Sequence, residues 1–144
     1  MDVALRRATG ADADFCFELH RAALGEYVAA VWGWDDGDQR ERHDAWFDPD
    51  HVRIVVVDGV DAGMFTVDDR PTEVYIGRIE LLPAYQGRGI GSGLIRAVID
   101  AGATDGRPVA LEVLEVNPRA LALYLRLGFH EVGRDGPKIH LRTR

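Results

Sequence analysis

The 144-residue sequence contains one cysteine, Cys16, and therefore cannot form an intramolecular disulfide. It lacks an apolar run approaching the roughly 20 residues that a membrane-spanning helix needs, and the residues after Met1 do not resemble the hydrophobic region of a secretory signal. Repeats, low-complexity tracts and long linkers are also absent. These absences predict a single domain over residues 1–144, located in the reducing cytoplasm and independent of membranes.

Basic residues are too few to favour nucleic acid as a partner, because the formal net charge is −7. The charge is unevenly distributed: residues 1–72 carry a net −9 and residues 73–144 a net +2. An acidic half favours a cationic ligand and a weakly basic half tolerates a polyanion, although an ordinary solvated surface explains the same distribution.

Metal-ligand spacing is absent as well, so we expect no metal. The histidines are scattered along the chain: His20, His43, His51, His130 and His140. Cys16 stands between two phenylalanines, which predicts a buried side chain rather than a nucleophile.

Apolar periodicity and turn signals predict the element order β-α-α-β-β-β-α-β-α-β-β. The predicted strands cover residues 3–7, 51–57, 62–67, 73–82, 109–116, 129–133 and 138–142, and the predicted helices cover residues 12–31, 39–47, 89–102 and a segment beginning at Pro118. A hairpin signal at Asp58 and Gly59 makes the sheet mixed. The strand–helix–strand unit at residues 73–116 predicts a right-handed parallel crossover. The sequence thus predicts an α/β fold with a single central sheet.

Four glycines in the seven residues 87–93 follow a predicted strand and precede a predicted helix. Glycine has no Cβ, so a ligand can approach the backbone closely. Successive N–H groups at a helix N-terminus can converge on an oxyanion, and Arg88 adds a positive charge. The pattern predicts a pyrophosphate-binding loop, with a merely connecting glycine-rich turn as the alternative.

The glycine spacing does not fit two common nucleotide-binding loops. The dinucleotide fingerprint G-x-G-x-x-G would end at Ser92 if it began at Gly87, and at Leu94 if it began at Gly89. A P-loop requires Gly-Lys-Ser/Thr, and the loop contains no lysine. A nucleotide-dependent oxidoreductase is therefore disfavoured.

Two blocks of the sequence resemble the GNAT superfamily of acyl-CoA-dependent N-acetyltransferases. Gln86, Gly89 and Gly91 match the motif Q/R-x-x-G-x-G/A, and residues 117–129 resemble the second block, N-x-x-A-x-x-x-Y-x-x-x-G-F. The resemblance implies a mostly antiparallel mixed sheet, flanked by helices, in which a parallel strand pair splays apart. It also implies transfer of an acetyl group from acetyl-CoA to a primary amine of a small molecule or peptide, by direct attack in a ternary complex.

The resemblance assigns cofactor contacts to residues of both blocks. The backbone of Ile79, Leu81 and Leu82 would pair with the pantetheine arm, and an amide near Leu82 would polarise the thioester carbonyl. Asn117 would cap its helix and contact the cofactor. The pyrophosphate would meet the loop residues, which are Gln86, Gly87, Arg88, Gly89, Ile90, Gly91 and Ser92.

The same resemblance implies an acid and a base. Tyr124 matches the general acid that protonates the leaving thiolate near the cofactor, with a core tyrosine as the alternative. An alkylammonium must lose a proton before it attacks, and Glu80 occupies the position of a base in many relatives. The alternatives are a salt bridge from Glu80 to Arg78 or another neighbouring cation, a water chain as base, and Glu112 as a second candidate.

The segment between the first two helices walls the acceptor site in the proteins that this sequence resembles. Aromatic faces and a carboxylate can together hold a cation, so the expected substrate contacts are Tyr27, Trp32, Trp34 and Asp35. Anchoring in the core is the alternative for the tryptophans, and Tyr27 fits either role. A sensor that binds acyl-CoA without turnover is the alternative function, and homodimerisation stays open.

Overall fold

The computed structural model describes the whole chain, Met1–Arg144, and its elements follow the predicted order. The strands are β1 (Val3–Arg7), β2 (Arg53–Val57), β3 (Val60–Asp69), β4 (Val74–Leu81), β5 (Val109–Leu114), β6 (Phe129–Asp135) and β7 (Lys138–Thr143). The helices are α1 (Ala13–Trp32), α2 (Asp36–Trp46), α3 (Ile90–Thr104) and α4 (Pro118–Arg126), with 3-10 turns at Gly10–Asp12 and Pro83–Tyr85. No helix combines the length and apolar character needed to cross a membrane.

The strands form one seven-stranded sheet in the order β1-β2-β3-β4-β5-β7-β6. Antiparallel register joins β1 to β2, β2 to β3, β5 to β7 and β6 to β7. Parallel register joins the first residues of β4 and β5, pairing Val74 with Val109 and Tyr75 with Ala110. The predicted α/β fold with a mixed, mostly antiparallel sheet is confirmed.

The chain divides into two compact units, and the prediction of a single domain stays a prediction. The first unit comprises Met1–Thr66 and Arg78–Arg88, and the second comprises Val67–Gly77 and Gly89–Arg144. The core of the first unit contains Ala8, Cys16, Leu19, Val52, Ile54 and Met64. Burial raises the pKa of the Cys16 thiol to about 12, which agrees with a packing role.

Helix α2 begins three residues earlier than the sequence predicts. The Asp35 carboxylate accepts a hydrogen bond from the Asp38 backbone N–H at 2.8 Å and so caps the helix. Helix α1 runs one residue further than predicted and ends at Trp32, followed by the C-cap residue Gly33, whose φ is 78°. Only residues 33–35 therefore connect the two helices.

Side chains also cap the 3-10 turn before α1 and the start of α4. The Thr9 backbone N–H donates to Asp12 Oδ2 at 2.8 Å at the 3-10 turn Gly10–Asp12. Asn117 Oδ1 accepts from the Ala120 backbone N–H at 3.2 Å, and Pro118 is the first residue of α4. These short-range signals place the helix starts correctly.

Because Gly63 has no side chain, the backbone of β3 approaches that of β4 closely at this position. A Cβ added at Gly63 would overlap the Glu80 carbonyl oxygen and lie 2.7 Å from Leu81 Cδ2. We expect Gly63→Ala to lower the free energy of unfolding by about 1–3 kcal/mol, because overpacking displaces the backbone. Urea denaturation measures the change. Gly10→Ala is the control, since a Cβ there meets nothing within 4 Å, and equal midpoints for the two variants would contradict the close approach.

Candidate active site

The loop between β4 and α3 has the backbone that its glycines predict. Gly87 and Gly89 have φ values of 73° and 80°, in the left-handed region that favours glycine. The Gln86 side-chain Nε2 donates to the Leu81 carbonyl at 3.0 Å and fastens the loop to the end of the strand. The Arg88 guanidinium lies 5.3 Å from the centre of the Tyr85 ring. The loop is thus shaped by glycine and carries an exposed cation.

The N-terminus of α3 has no capping side chain. Its N-cap residue is Gly89, and its first turn contains no acidic residue, whereas Asp35 and Asn117 cap α2 and α4. The Gly93 N–H already donates to the Gly89 carbonyl at 3.0 Å, so the unpaired donors lie before it. Free N–H groups at the positive end of a helix dipole suit an oxyanion such as a diphosphate.

Glu80 is buried against a histidine to which the sequence analysis assigned no role. The Glu80 side chain is 1% exposed, and the His20 side chain is 13% exposed. His20 Nδ1 lies 2.7 Å from Glu80 Oε1 and 2.9 Å from Oε2. A carboxylate only accepts hydrogen bonds, so Nδ1 carries the proton of this contact, and in the neutral imidazole Nε2 carries the lone pair. The hydrogen-bonded partner of Glu80 is His20 rather than Arg78.

An aromatic ring and a half-buried cation lie near this pair within the same compact unit. The Trp34 ring centre lies 6.2 Å from that of His20. The Arg78 guanidinium lies 3.7 Å from the centre of the Trp46 ring, and its buried Nη1 has no hydrogen-bond partner. Burial lowers the pKa of Arg78, and the charge of Glu80 opposes that shift.

The predicted acceptor residues have different surroundings. Trp32 lies in the last turn of α1 with 56% of its surface exposed, and Tyr27 is half-buried on the same helix. The Trp34 Nε1 donates to Asp36 Oδ1 at 2.6 Å, and its ring lies beside His20. The Asp35 carboxylate is engaged in capping α2, a structural role that the sequence analysis did not foresee. Trp34 is therefore the predicted acceptor residue that the structure brings beside His20, the hydrogen-bonded partner of Glu80.

At the end of β4, backbone N–H groups that face β3 form hydrogen bonds to that strand. The Arg78 N–H donates to Thr66 Oγ1 and the Leu82 N–H to the Ala62 carbonyl, each at 2.8 Å. Because backbone groups alternate along a strand, Ile79 and Leu81 direct theirs away from β3. The Leu82 amide is thus engaged within the sheet, and Ile79 and Leu81 are the better placed of the three predicted backbone contacts.

The second sequence block forms α4 and the start of β6. Tyr124 is half-buried, and its ring meets the edge of Phe129 with centres 6.0 Å apart. Glu112, the second candidate base, lies 3.2 Å from His140 Nδ1 and 3.9 Å from Lys138 Nζ. The roles proposed for Tyr124 and Asn117 stay predictions.

Neither the role of His20 nor the contact of Arg78 with Trp46 was predicted from the sequence. His20 follows Cys16 by one helical turn, and Cys16 and Leu19 are buried residues of α1. This i, i+4 spacing places His20 beside the inward face and was the available signal. No local sequence pattern predicts the partner of His20, because Glu80 is 60 positions away in the sequence.

The sequence matches a known protein family over most of its length. Residues 14–129 match the acetyltransferase (GNAT) family. The chain belongs to this family, as the resemblance of its two sequence blocks predicted.

Individual relatives share either a segment or the fold with this chain. A segment of 63 residues is 48% identical to the N-alpha-acetyltransferase RimI of Mycobacterium tuberculosis, and it spans 44% of this chain and 39% of that protein. The PaiA N-acetyltransferase of Thermoplasma acidophilum, solved in complex with coenzyme A, superposes with a TM-score of 0.79 at 15% identity over 100% of this chain and 99% of that one. The ribosomal-protein-S18-alanine N-acetyltransferase of Escherichia coli superposes with a TM-score of 0.69 at 19% identity, over 99% and 93% of the chains. At these identities the two structures establish the fold.

Proposed function

We propose that this protein transfers an acetyl group from acetyl-CoA to a primary amine by direct attack in a ternary complex. The observation that carries the proposal is the uncapped N-terminus of α3 behind its glycine loop, in a chain of the GNAT family. The amides of residues 87–92 bind the pyrophosphate, and Arg88 adds a positive charge. The main chain of Ile79 and Leu81 pairs with the pantetheine arm.

The reaction requires a neutral amine and a protonated leaving group. An alkylammonium has a pKa of about 10 and a peptide α-ammonium a pKa of about 8, so each must lose a proton before attack. In this proposal, removal of the proton from the acceptor ammonium depends on Glu80. The nitrogen attacks the thioester carbon, the C–S bond breaks, and the Tyr124 hydroxyl protonates the thiolate.

The acceptor is proposed to be cationic before it loses its proton. The net charge of −9 over residues 1–72 supports this, as does the ring of Trp34 beside His20. The names of two relatives, an N-alpha-acetyltransferase and a protein-alanine N-acetyltransferase, support a peptide α-amine as the first acceptor to try. A cytoplasmic location and homodimerisation remain predictions of the sequence.

Thiol release from acetyl-CoA tests the proposal. We expect release above the hydrolysis background with at least one of three probes: a peptide with a free N-terminal alanine, spermidine and free lysine. A protein that binds coenzyme A and releases no thiol with any of them would contradict enzymatic transfer and support a sensor.

A further inference from the structure

We propose that Nε2 of His20 takes the proton from the acceptor amine, and that Glu80 is a positioning residue that holds the imidazole from behind. The inference rests on the proposed function and names the group that performs its first proton transfer. It comes from the burial and bonding of the two side chains within one compact unit.

Glu80 is poorly placed to touch a substrate. Only 1% of its side chain is exposed, and both of its oxygens lie within 2.9 Å of His20 Nδ1. A general base must come within about 3 Å of the proton that it removes. The imidazole occupies that approach to the carboxylate, so an amine would have to displace it.

His20 retains the access that Glu80 lacks. Its side chain is 13% exposed, and no hydrogen bond to its Nε2 is found within the chain. The buried polar atoms without a partner are His43 Nδ1, Arg78 Nη1 and His130 Nδ1, so His20 Nε2 is not a buried orphan. With the proton on Nδ1, Nε2 presents a lone pair on the accessible side of the ring.

The surroundings hold the imidazole and favour its role. His20 lies in the continuous helix α1, and its ring lies beside Trp34. When Nε2 takes a proton, the imidazolium is stabilised by the carboxylate in contact with Nδ1, as in a catalytic triad. Arg78, on the same face of β4 as Glu80, opposes that charge, but it makes no hydrogen bond to the pair.

The protons balance over the reaction. The acceptor ammonium gives one proton to His20 Nε2 and becomes a neutral amine, whose lone pair forms the new N–C bond. The C–S bond breaks, the sulfur takes a proton from Tyr124, and Tyr124 is reprotonated by the second proton of the nitrogen. The imidazolium releases the first proton to solvent. The products are the amide, free coenzyme A and one proton.

Two glutamine variants separate the roles of the pair. We expect His20→Gln to lower kcat by about 10²–10⁴-fold, the usual contribution of a general base, with the KM for acetyl-CoA within about twofold of wild type, because the glycine loop is untouched. Glu80→Gln should lower kcat by at least about tenfold with the same KM, since the ring loses its anionic support. Each variant is assayed by thiol release, with coenzyme A binding and the thermal midpoint as checks on folding.

Rescue by imidazole distinguishes the imidazole from the carboxylate as the base. In His20→Ala, added imidazole should restore part of the lost rate, because it can occupy the vacated space beside Glu80. If Glu80 itself took the proton, His20→Ala would open the carboxylate to the amine, and the rate would persist without imidazole. That result would overturn the inference.

His43→Gln is the matched control. His43 is a buried histidine whose Nε2 bonds to the Ala13 carbonyl at 2.9 Å, and burial lowers its pKa. Its replacement should lower the thermal midpoint without a selective loss of kcat. If the wild type releases thiol and His20→Gln releases it at the same rate, only the role of His20 is overturned. Absence of release by a wild type that binds coenzyme A overturns the proposed function and this role together.

Discussion

Gly91→Asp is expected to weaken coenzyme A binding by at least about 100-fold while leaving the fold as stable as the wild type. Gly91 lies in the first turn of α3, which carries no acidic residue and no capping side chain. Two like charges about 4 Å apart near a protein surface repel by about 4 kcal/mol, and 100-fold corresponds to about 2.7 kcal/mol. The same aspartate interacts favourably with the helix dipole, so lost binding cannot be attributed to unfolding. Titration calorimetry and thermal unfolding measure the two quantities.

Two alanine variants serve as controls for this substitution. Gly91→Ala adds a Cβ without adding charge. It therefore separates electrostatic repulsion of the diphosphate from steric crowding by the new side chain. Gly93→Ala should bind coenzyme A like the wild type, because the Gly93 amide is already bonded to the Gly89 carbonyl and an added Cβ meets nothing within 4 Å. Wild-type affinity in Gly91→Asp would contradict diphosphate binding at this helix end.

Tyr124→Phe is expected to lower kcat by about 100-fold or more and to leave coenzyme A affinity within about twofold of wild type. The substitution removes the hydroxyl that we propose as the proton donor to the thiolate, and it keeps the ring that contacts Phe129. A phenol with a reference pKa of about 10 is protonated at neutral pH, which suits a proton donor. Thiol release measures kcat, and calorimetry measures affinity.

Single-turnover kinetics sharpen this test, because slow product release can hide a change in the chemical step. Tyr75→Phe is the matched control, since it also loses a hydroxyl and keeps a ring, here 4.2 Å from the Arg70 guanidinium. We expect wild-type kcat for the control. An unchanged single-turnover rate in Tyr124→Phe would remove Tyr124 from the mechanism.

The sequence predicted the features that arise from short-range chemistry. The glycine loop, the Asn117 cap and the element order depend on residues within a few positions of each other, and the structure reproduces them. The start of α2 was misplaced because Asp36 and Gly37 resemble a turn when the Asp35 cap is not recognised. Residues 35–37 fit both a turn and a helix start, and the hydrogen bond from the Asp38 N–H to the Asp35 carboxylate, which the sequence does not reveal, makes them a helix start.

The candidate site was only partly predictable, because its side chains come from distant positions. Glu80 was identified through the resemblance, but its partner His20 stands 60 residues earlier. The sequence offered Arg78 only as an ion-pair partner of Glu80, yet its half-buried guanidinium lies over the Trp46 ring. Both placements depend on how a helix and a strand are brought together in the fold, and no local pattern encodes that pairing.

Diphosphate recognition by the main-chain amides of residues 87–92 is tested most directly by calorimetry with two ligands. Coenzyme A contains the diphosphate, and pantetheine carries the same thiol-bearing arm without it. We expect clear binding of coenzyme A to the wild type and binding of pantetheine that is at least about 100-fold weaker, because the helix end and Arg88 then lose their anion. Equal affinity for the two ligands, or no binding of coenzyme A, would contradict this assignment of the loop.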